Sequence, residues 1–162
     1  MNLLVLNAVK KVKNPKIEKK NNRKYISKLV DNYDKNNLDL KEELLIFRYY
    51  LALEKYDIEM ISKKEYKVIE KIYNKFIISD DPILVIEAHN FLYNLINKVV
   101  ILACEDLYLI DDDFEVVKEN WIKEKFNQCI KVKHIDIFNL IDELSDDFES
   151  NVLKSKLKIN KK

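Results

Sequence analysis

The sequence predicts an all-α fold, a single-domain bundle of five or six helices with little or no sheet. The 162-residue chain contains no glycine, and glycine supplies the positive φ angles of most tight hairpin turns. Its only prolines are Pro15 and Pro82, so long helices can run uninterrupted between them. Apolar residues also recur at intervals of three and four, as they do on one face of a helix.

The bundle is predicted to cover residues 23–153, between two basic ends. Residues 10–22 are polar and basic, and residues 1–22 are predicted to form a basic N-terminal arm, which can be partly ordered. Residues 154–162 are predicted to form a basic C-terminal tail. The pattern turns helical at Arg23, where apolar residues follow at three- and four-residue spacing. They are Tyr25 or Ile26, then Leu29, Val30 and Tyr33.

Two further helices are marked by polar residues at their starts. Asp39 followed by Glu42 predicts a cap for the second helix. Ser62 and Glu65 form the pattern of a capping box, in which each residue satisfies a backbone N–H of the other. The third helix begins there, and its predicted buried face is Tyr66, Ile69, Tyr73 and Phe76.

The most apolar segment of the chain begins at Pro82. Asp81 can cap a helix there, and Pro82 suits the first helical position because its missing N–H would have no partner in the helix. A membrane-spanning helix needs about 20 predominantly apolar residues. This one carries Glu87, His89 and Lys98, together with three asparagines, within that length. We therefore expect a buried helix and not a membrane span.

Four polar residues of this segment are spaced to share one helix face: Glu87, Asn90, Asn94 and Asn97. Every other direction is apolar, which predicts a central helix packed on nearly all sides with one thin polar edge. Such an edge faces water or hydrogen-bonds to another helix. A weaker hypothesis makes Glu87 or His89 part of an enzyme's site.

Two more helices complete the predicted bundle. Asp111–Asp113 is predicted to cap the first of them, whose apolar residues are Phe114, Val117, Trp121 and Phe126. The last helix carries a regular apolar stripe of Ile137, Ile141, Leu144, Phe148 and Val152. Exposure of this stripe would make a homodimer possible.

No arrangement of residues indicates an enzyme, a metal site or a cofactor. The absence of glycine excludes the usual P-loop, dinucleotide-binding and nucleophile-elbow motifs. His89 and His134 lack a glutamate three residues earlier, as di-iron bundles require. Cys104 and Cys129 lack ligand spacing, and we interpret them as small core side chains of a reduced protein. The sequence predicts a cytoplasmic, non-enzymatic protein.

Charge is segregated along the chain. Residues 10–28 contain nine basic side chains and one acid, and residues 154–162 contain five lysines and no acid. The rest of the chain therefore carries a formal charge of −12, although the total is +1. Because charge patterning informs about partners more than about fold, it leads to two functional hypotheses.

The first hypothesis makes the acidic body a protein-binding surface. The protein would act by protein–protein interaction, as an inhibitor, an adaptor or a small subunit of an assembly. The acids of the last helix cover much of the surface that its apolar stripe leaves free. The predicted partner-binding residues are Asp136, Asp142, Glu143, Asp146, Asp147 and Glu149.

The alternative makes the basic ends contact the phosphates of a nucleic acid. Aromatic residues that could stack on bases are scarce there, since Tyr25 is the only one in residues 10–28. The predicted contact residues are Lys10, Lys11, Lys13, Lys16, Lys19, Lys20, Arg23 and Lys24.

Overall fold

The computed structural model describes residues 18–35, 38–56, 61–105 and 112–154. These residues form six helices and no strand, which confirms the all-α prediction. The helices are α1 (Glu18–Asp31), α2 (Leu40–Tyr56), α3 (Lys63–Ile77), α4 (Pro82–Cys104), α5 (Asp112–Cys129) and α6 (Ile137–Phe148). A π-helical turn, Glu149–Leu153, continues α6.

The predicted starts of α2, α3 and α4 are present with their side-chain caps, whereas Asp111 of the cap predicted for α5 lies outside the described residues. The Glu42 N–H donates to Asp39 Oδ1 at 2.8 Å, and the Asp39 N–H donates to Glu42 Oε1 at 3.2 Å. Ser62 and Glu65 make the same reciprocal exchange at the start of α3. At α4, Asp81 accepts from the backbone N–H of Ile83 at 3.0 Å, with Pro82 following the cap. Each cap fixes where its helix begins.

The first helix begins earlier than predicted. α1 starts at Glu18, five residues before Arg23, so the last part of the predicted arm is helical. Lysines and asparagines hide this start in the sequence because residues 18–24 contain no apolar residue. The rest of the arm, residues 1–17, and residues 155–162 of the tail lie outside the described residues.

The chain divides into two compact units, Met1–Lys75 and Phe76–Lys162, here called the N-terminal and C-terminal units. In the N-terminal unit, α1 packs against α2. Its fully buried side chains include Ile26, Ile46, Phe47, Ile69, Ile72 and Tyr73. The predicted face of α3 is confirmed, since all four of its residues are buried.

In the C-terminal unit, α4 packs against both α5 and α6. The side of α4 that faces inward includes Ala88, Phe91, Leu92, Leu95 and Ile96, all fully buried. The prediction that α4 is packed on nearly all sides is wrong, however. Ile86, Tyr93 and Ile101 are 56%, 41% and 56% exposed. They lie on the side of the helix opposite these buried residues.

The core face of α5 also differs from the predicted one. Phe114, Trp121 and Cys129 are buried, but Val117 is 40% exposed. Lys118 and Lys125 lie on the inward side instead, with side chains that are 24% and 19% exposed. Lysine can occupy such positions because its methylene stem packs on apolar surface while its ammonium finds a carboxylate.

The apolar stripe of the last helix is largely buried. Ile137 and Phe148 are fully buried, and Leu144 and Val152 are 4% exposed. Ile141 is half-buried. The stripe closes the core of its own unit, so a homodimer through this stripe has no exposed surface to use.

Candidate protein-binding surface

The acids of α6 are positioned by the burial of its apolar stripe. Because a helix repeats every 3.6 residues, Asp142, Asp146 and Glu149 lie on the side opposite Leu144 and Phe148. All three are exposed. Burial of the stripe therefore orients a row of carboxylates toward solvent.

Glu143 lies on the flank of this row that is nearer to α5. Its charge contributes to raising the pKa of the Cys129 thiol, although burial is the larger cause. Glu143 is itself exposed. We define the acidic face as Asp142, Glu143, Asp146 and Glu149. Within the described parts of the chain, none of these four carboxylates accepts a hydrogen bond or forms an ion pair.

Asp147 belongs to a different environment on the side of α6 that faces α5. The indole N–H of Trp121 donates to Asp147 Oδ2 at 2.7 Å, and Lys125 Nζ lies 3.1 Å from the same oxygen. Asn151 donates to Asp147 Oδ1 at 2.8 Å. The hydrogen bond from Trp121 and the charge of Lys125 lower the pKa of the Asp147 carboxyl.

These contacts tie α5 to α6. The Trp121 ring also meets the buried Phe148 ring edge-on, with centroids 4.9 Å apart. Charge-assisted hydrogen bonds of this kind are about twice as strong as neutral ones. Both carboxylate oxygens of Asp147 thus have partners within the chain.

The Asp136 carboxylate also accepts hydrogen bonds within the chain, because it caps α6. Its carboxylate accepts the backbone N–H groups of Phe138 and Asn139 at 3.1 and 3.2 Å. Its extended backbone, φ −105° and ψ 113°, is typical of the residue before a helix. An aspartate immediately before an apolar helical stripe is itself a cap pattern, and that signal was available in the sequence.

The residues predicted to contact nucleic acid are only partly described. Lys10, Lys11, Lys13 and Lys16 lie outside the described residues. Lys19 and Lys20 lie in the first turn of α1.

Arg23 and Lys24, which are also predicted to contact nucleic acid, have different surroundings. Lys24 is exposed on α1, while Arg23 is half-buried. The charge of Arg23 acts on Tyr49 and Tyr50 of α2, partly offsetting the rise in the pKa of both phenols that burial causes. Arg23 is therefore positioned partly inside its own unit.

The residues of the polar edge of α4 differ in their exposure. Glu87 is 7% exposed, whereas Asn90 is exposed. The His89 ring packs edge-on against Phe126 of α5, with centroids 5.9 Å apart. Tyr93 meets the same phenylalanine at 5.6 Å. His89 thus contributes to the packing of α4 on α5.

A charged cluster that sequence reasoning missed lies in the N-terminal unit. Glu43 is 2% exposed and accepts the Tyr33 hydroxyl at 3.1 Å. Lys75 Nζ donates to the other carboxylate oxygen of Glu43 at 2.6 Å. Burial and the Glu43 carboxylate raise the pKa of Tyr33, which keeps its proton available for donation. Because the three residues lie 10 and 32 positions apart, no local pattern reveals the cluster.

Neither a metal site nor a membrane-spanning helix occurs among the described residues. No group of three or more His, Cys, Asp or Glu side chains in these ranges could hold a metal ion. No helix there is long and apolar enough to cross a bilayer. Comparisons with known proteins found no matching protein family, curated protein or solved structure.

Proposed function

We propose that the protein is a non-enzymatic binding protein whose acidic face recognises a basic surface on a protein partner. It acts as an inhibitor, an adaptor or a small subunit of an assembly. The observation that carries this proposal is the set of four exposed carboxylates on one side of α6 that have no ion-pair partner in the described residues. We limit the proposed partner-binding residues to these four, because Asp136 and Asp147 accept hydrogen bonds within the chain.

Exposure alone does not explain why these acids are unpaired. Asp31 and Asp34 are 61% and 74% exposed, yet each pairs with a lysine of α3. On α6, by contrast, acids stand next to other acids. Asp142 and Asp146 are four residues apart, and Asp146 and Glu149 are three apart. Such like-charge pairs destabilise a helix by roughly 0.2–0.5 kcal/mol each.

A basic partner would relieve this repulsion. Complementary charges also speed the encounter of two proteins and exclude partners of the wrong sign. We assign the protein to the cytoplasm, which its two free thiols, Cys104 and Cys129, support because disulfides are rare there.

The test is capture of partners from the host lysate by tagged protein, analysed by mass spectrometry. In the first variant all four acids of the acidic face are replaced by lysine. The matched control replaces four other exposed acids by lysine and so changes the net charge equally. The control positions are Asp80, Asp113, Glu119 and Glu124.

We expect wild type and control to retain a stoichiometric partner that survives nuclease treatment, and the acidic-face variant to lose it. Circular dichroism verifies that both variants stay helical. Equal capture by all three proteins would rule out the acidic face as the binding surface.

A second candidate function is contact with nucleic acid through the N-terminal unit. Residues 1–75 contain 18 basic and 11 acidic side chains, a formal charge of +7, whereas residues 76–162 carry −6. Lys24 and Lys28 are exposed on α1 and lie four residues apart, so they share one side of the helix.

Removing residues 1–17 and 155–162 tests this candidate without shortening any described helix. If the ends bind phosphates, the truncated protein binds a nucleic-acid duplex more weakly. The slope of log affinity against log salt then becomes shallower by about 0.9 for each phosphate that the protein no longer neutralises. Unchanged binding would show that the ends do not bind phosphates.

A further inference from the structure

One side of α4 carries an uncharged row of side chains that is not part of the core. The row consists of Ile86, Asn90, Tyr93, Asn97 and Ile101, at spacings of four, three, four and four. Its three apolar members are between 41% and 56% exposed. The row extends over about 23 Å of helix, at 1.5 Å per residue. We call it the α4 row.

The α4 row is held in place by the packing of the rest of the helix. Ala88, Leu92 and Leu95 on the opposite side are fully buried, and Tyr93 at the centre of the row contacts Phe126. The exposed isoleucines are therefore presented on an anchored helix. Side chains aligned along one side of an exposed helix form a ridge against which a second helix can pack.

The order of residues in the α4 row reads the same in both directions: Ile, Asn, Tyr, Asn, Ile. A two-fold axis that relates two antiparallel helices reverses the order of one row against the other. With the axis near Tyr93, Ile86 of one copy faces Ile101 of the second copy. Asn90 likewise faces Asn97. The axis then falls between positions 93 and 94, so the isoleucine and asparagine positions of the row match their counterparts and the two Tyr93 side chains lie side by side across the axis.

The chemistry of the α4 row agrees with this pairing. An asparagine amide both donates and accepts hydrogen bonds, so Asn90 can act as donor and as acceptor toward Asn97 of the second copy. The row has no charge that would repel an identical surface, as the acidic face would.

We propose that the α4 row is the interface of an antiparallel, two-fold symmetric homodimer. A single pair of helices over this length buries an area at or below the roughly 1,200 Å² at which stable interfaces begin. The dimer is therefore reversible and forms as the protein concentration rises. This proposal is independent of the acidic face and of its partner.

Light scattering and sedimentation velocity on the full chain, over a series of concentrations, test the proposal. We expect the wild-type mass to rise from 19.4 kDa toward twice that value. Ile86→Glu and Ile101→Lys should each raise the dissociation constant at least about tenfold, equivalent to 1.4 kcal/mol. Val116→Glu on α5 is the matched control, because Val116 is 57% exposed and lies outside the row. It should leave the dissociation constant unchanged.

The register is tested by combining two substitutions in one chain. In the antiparallel dimer, Ile86→Glu with Ile101→Lys places a carboxylate opposite an ammonium twice. We expect this double variant to dimerise again, now in a salt-sensitive way. Ile86→Glu with Ile101→Glu should stay monomeric.

Three results would overturn the proposal. A wild-type protein that is monomeric at every concentration excludes the dimer. A dimer that is weakened by Val116→Glu but not by Ile86→Glu places the interface elsewhere. Failure of the Glu–Lys double variant to recover, when both single variants dissociate, excludes the antiparallel register.

Discussion

In the N-terminal unit three lysines of α3 reach acids from earlier parts of the chain, whereas in the C-terminal unit the acidic face reaches no described cation. Lys64 pairs with Asp31, Lys71 with Asp34, and Lys75 with Glu43. In the N-terminal unit, ion pairs therefore connect α3 to earlier parts of the chain. The carboxylates on the outer side of α6 form no ion pair within the described residues.

This contrast indicates which charges serve the fold and which are available to a partner. The C-terminal unit does use acids structurally, but only where α6 meets α5 or begins. Asp147 and Asp136 fill those two roles. The remaining acids of α6 point away from the core. The difference between the two groups of acids can be tested by measuring the stability of variants.

The largest effect is expected at the buried carboxylate of the N-terminal unit. Lys75→Ala leaves Glu43, which is 2% exposed, without its ammonium partner. We expect a loss of about 2–3 kcal/mol in the free energy of unfolding, measured by urea denaturation. Lys64→Ala is the control, because it breaks an exposed ion pair and should cost less than about 1 kcal/mol. Equal losses would mean that the burial of Glu43 is unimportant.

A smaller effect is expected at the contact between α5 and α6. Asp147→Ala removes acceptors for Trp121, Lys125 and Asn151. We expect a loss of about 1–2 kcal/mol, since these hydrogen bonds involve a charged group at a partly exposed site. A loss no greater than that of Asp142→Ala would contradict this role for Asp147.

The same aspartate should contribute to the pH dependence of stability. Its folded-state pKa lies below the unfolded value of about 3.9. The stabilisation is thus complete above the unfolded pKa and is lost as pH falls through the lower folded pKa. Asp147→Asn should flatten the decline in stability over that acidic range, measured by urea denaturation at a series of pH values. An unchanged slope would show that Asp147 is not one of the titrating groups.

The smallest effect, of opposite sign, is expected on the acidic face. Asp146→Lys removes repulsion from Asp142, Glu143 and Glu149 and adds an acid-to-lysine pair with Asp142. We expect a gain of about 0.5 kcal/mol at low salt, measured by thermal unfolding. Capture of the partner should weaken at the same time. A loss of stability would assign Asp146 a structural role.

The sequence was sufficient to predict the helices and most of their caps because these depend on neighbouring residues. Asp39, Ser62 and Asp81 each lie within three residues of the groups they satisfy. The start of α1 was missed because its first turns are lysine- and asparagine-rich. The exposed side of α4 was missed for a different reason, since isoleucine and tyrosine on a helix resemble core residues until the packing is known.

The candidate site was predictable only in outline. The acids of α6 were recognisable as a group, and the cap role of Asp136 depends on its neighbours. The role of Asp147, like that of Glu43 in the N-terminal unit, depends on distant residues. Trp121 lies 26 positions before Asp147, and Lys75 lies 32 positions after Glu43. The apolar pattern of α5 predicts Val117 as a core residue, but Val117 is 40% exposed, and Lys118 and Lys125 lie on the inward side. Lys118 pairs with Glu115 on the same helix, but only the tertiary contact with α6 reveals that Lys125 pairs with Asp147.

The contrast between the two units is tested most directly by two triple variants that each remove three negative charges. One combines Asp31→Asn, Asp34→Asn and Glu43→Gln, and the other combines Asp142→Asn, Asp146→Asn and Glu149→Gln. The measurement is the midpoint of urea denaturation at low salt. We predict that the first variant unfolds at a lower urea concentration than wild type, and the second at an equal or higher one. A second variant that loses as much stability as the first would contradict the account, because the acidic face would then be holding the fold together.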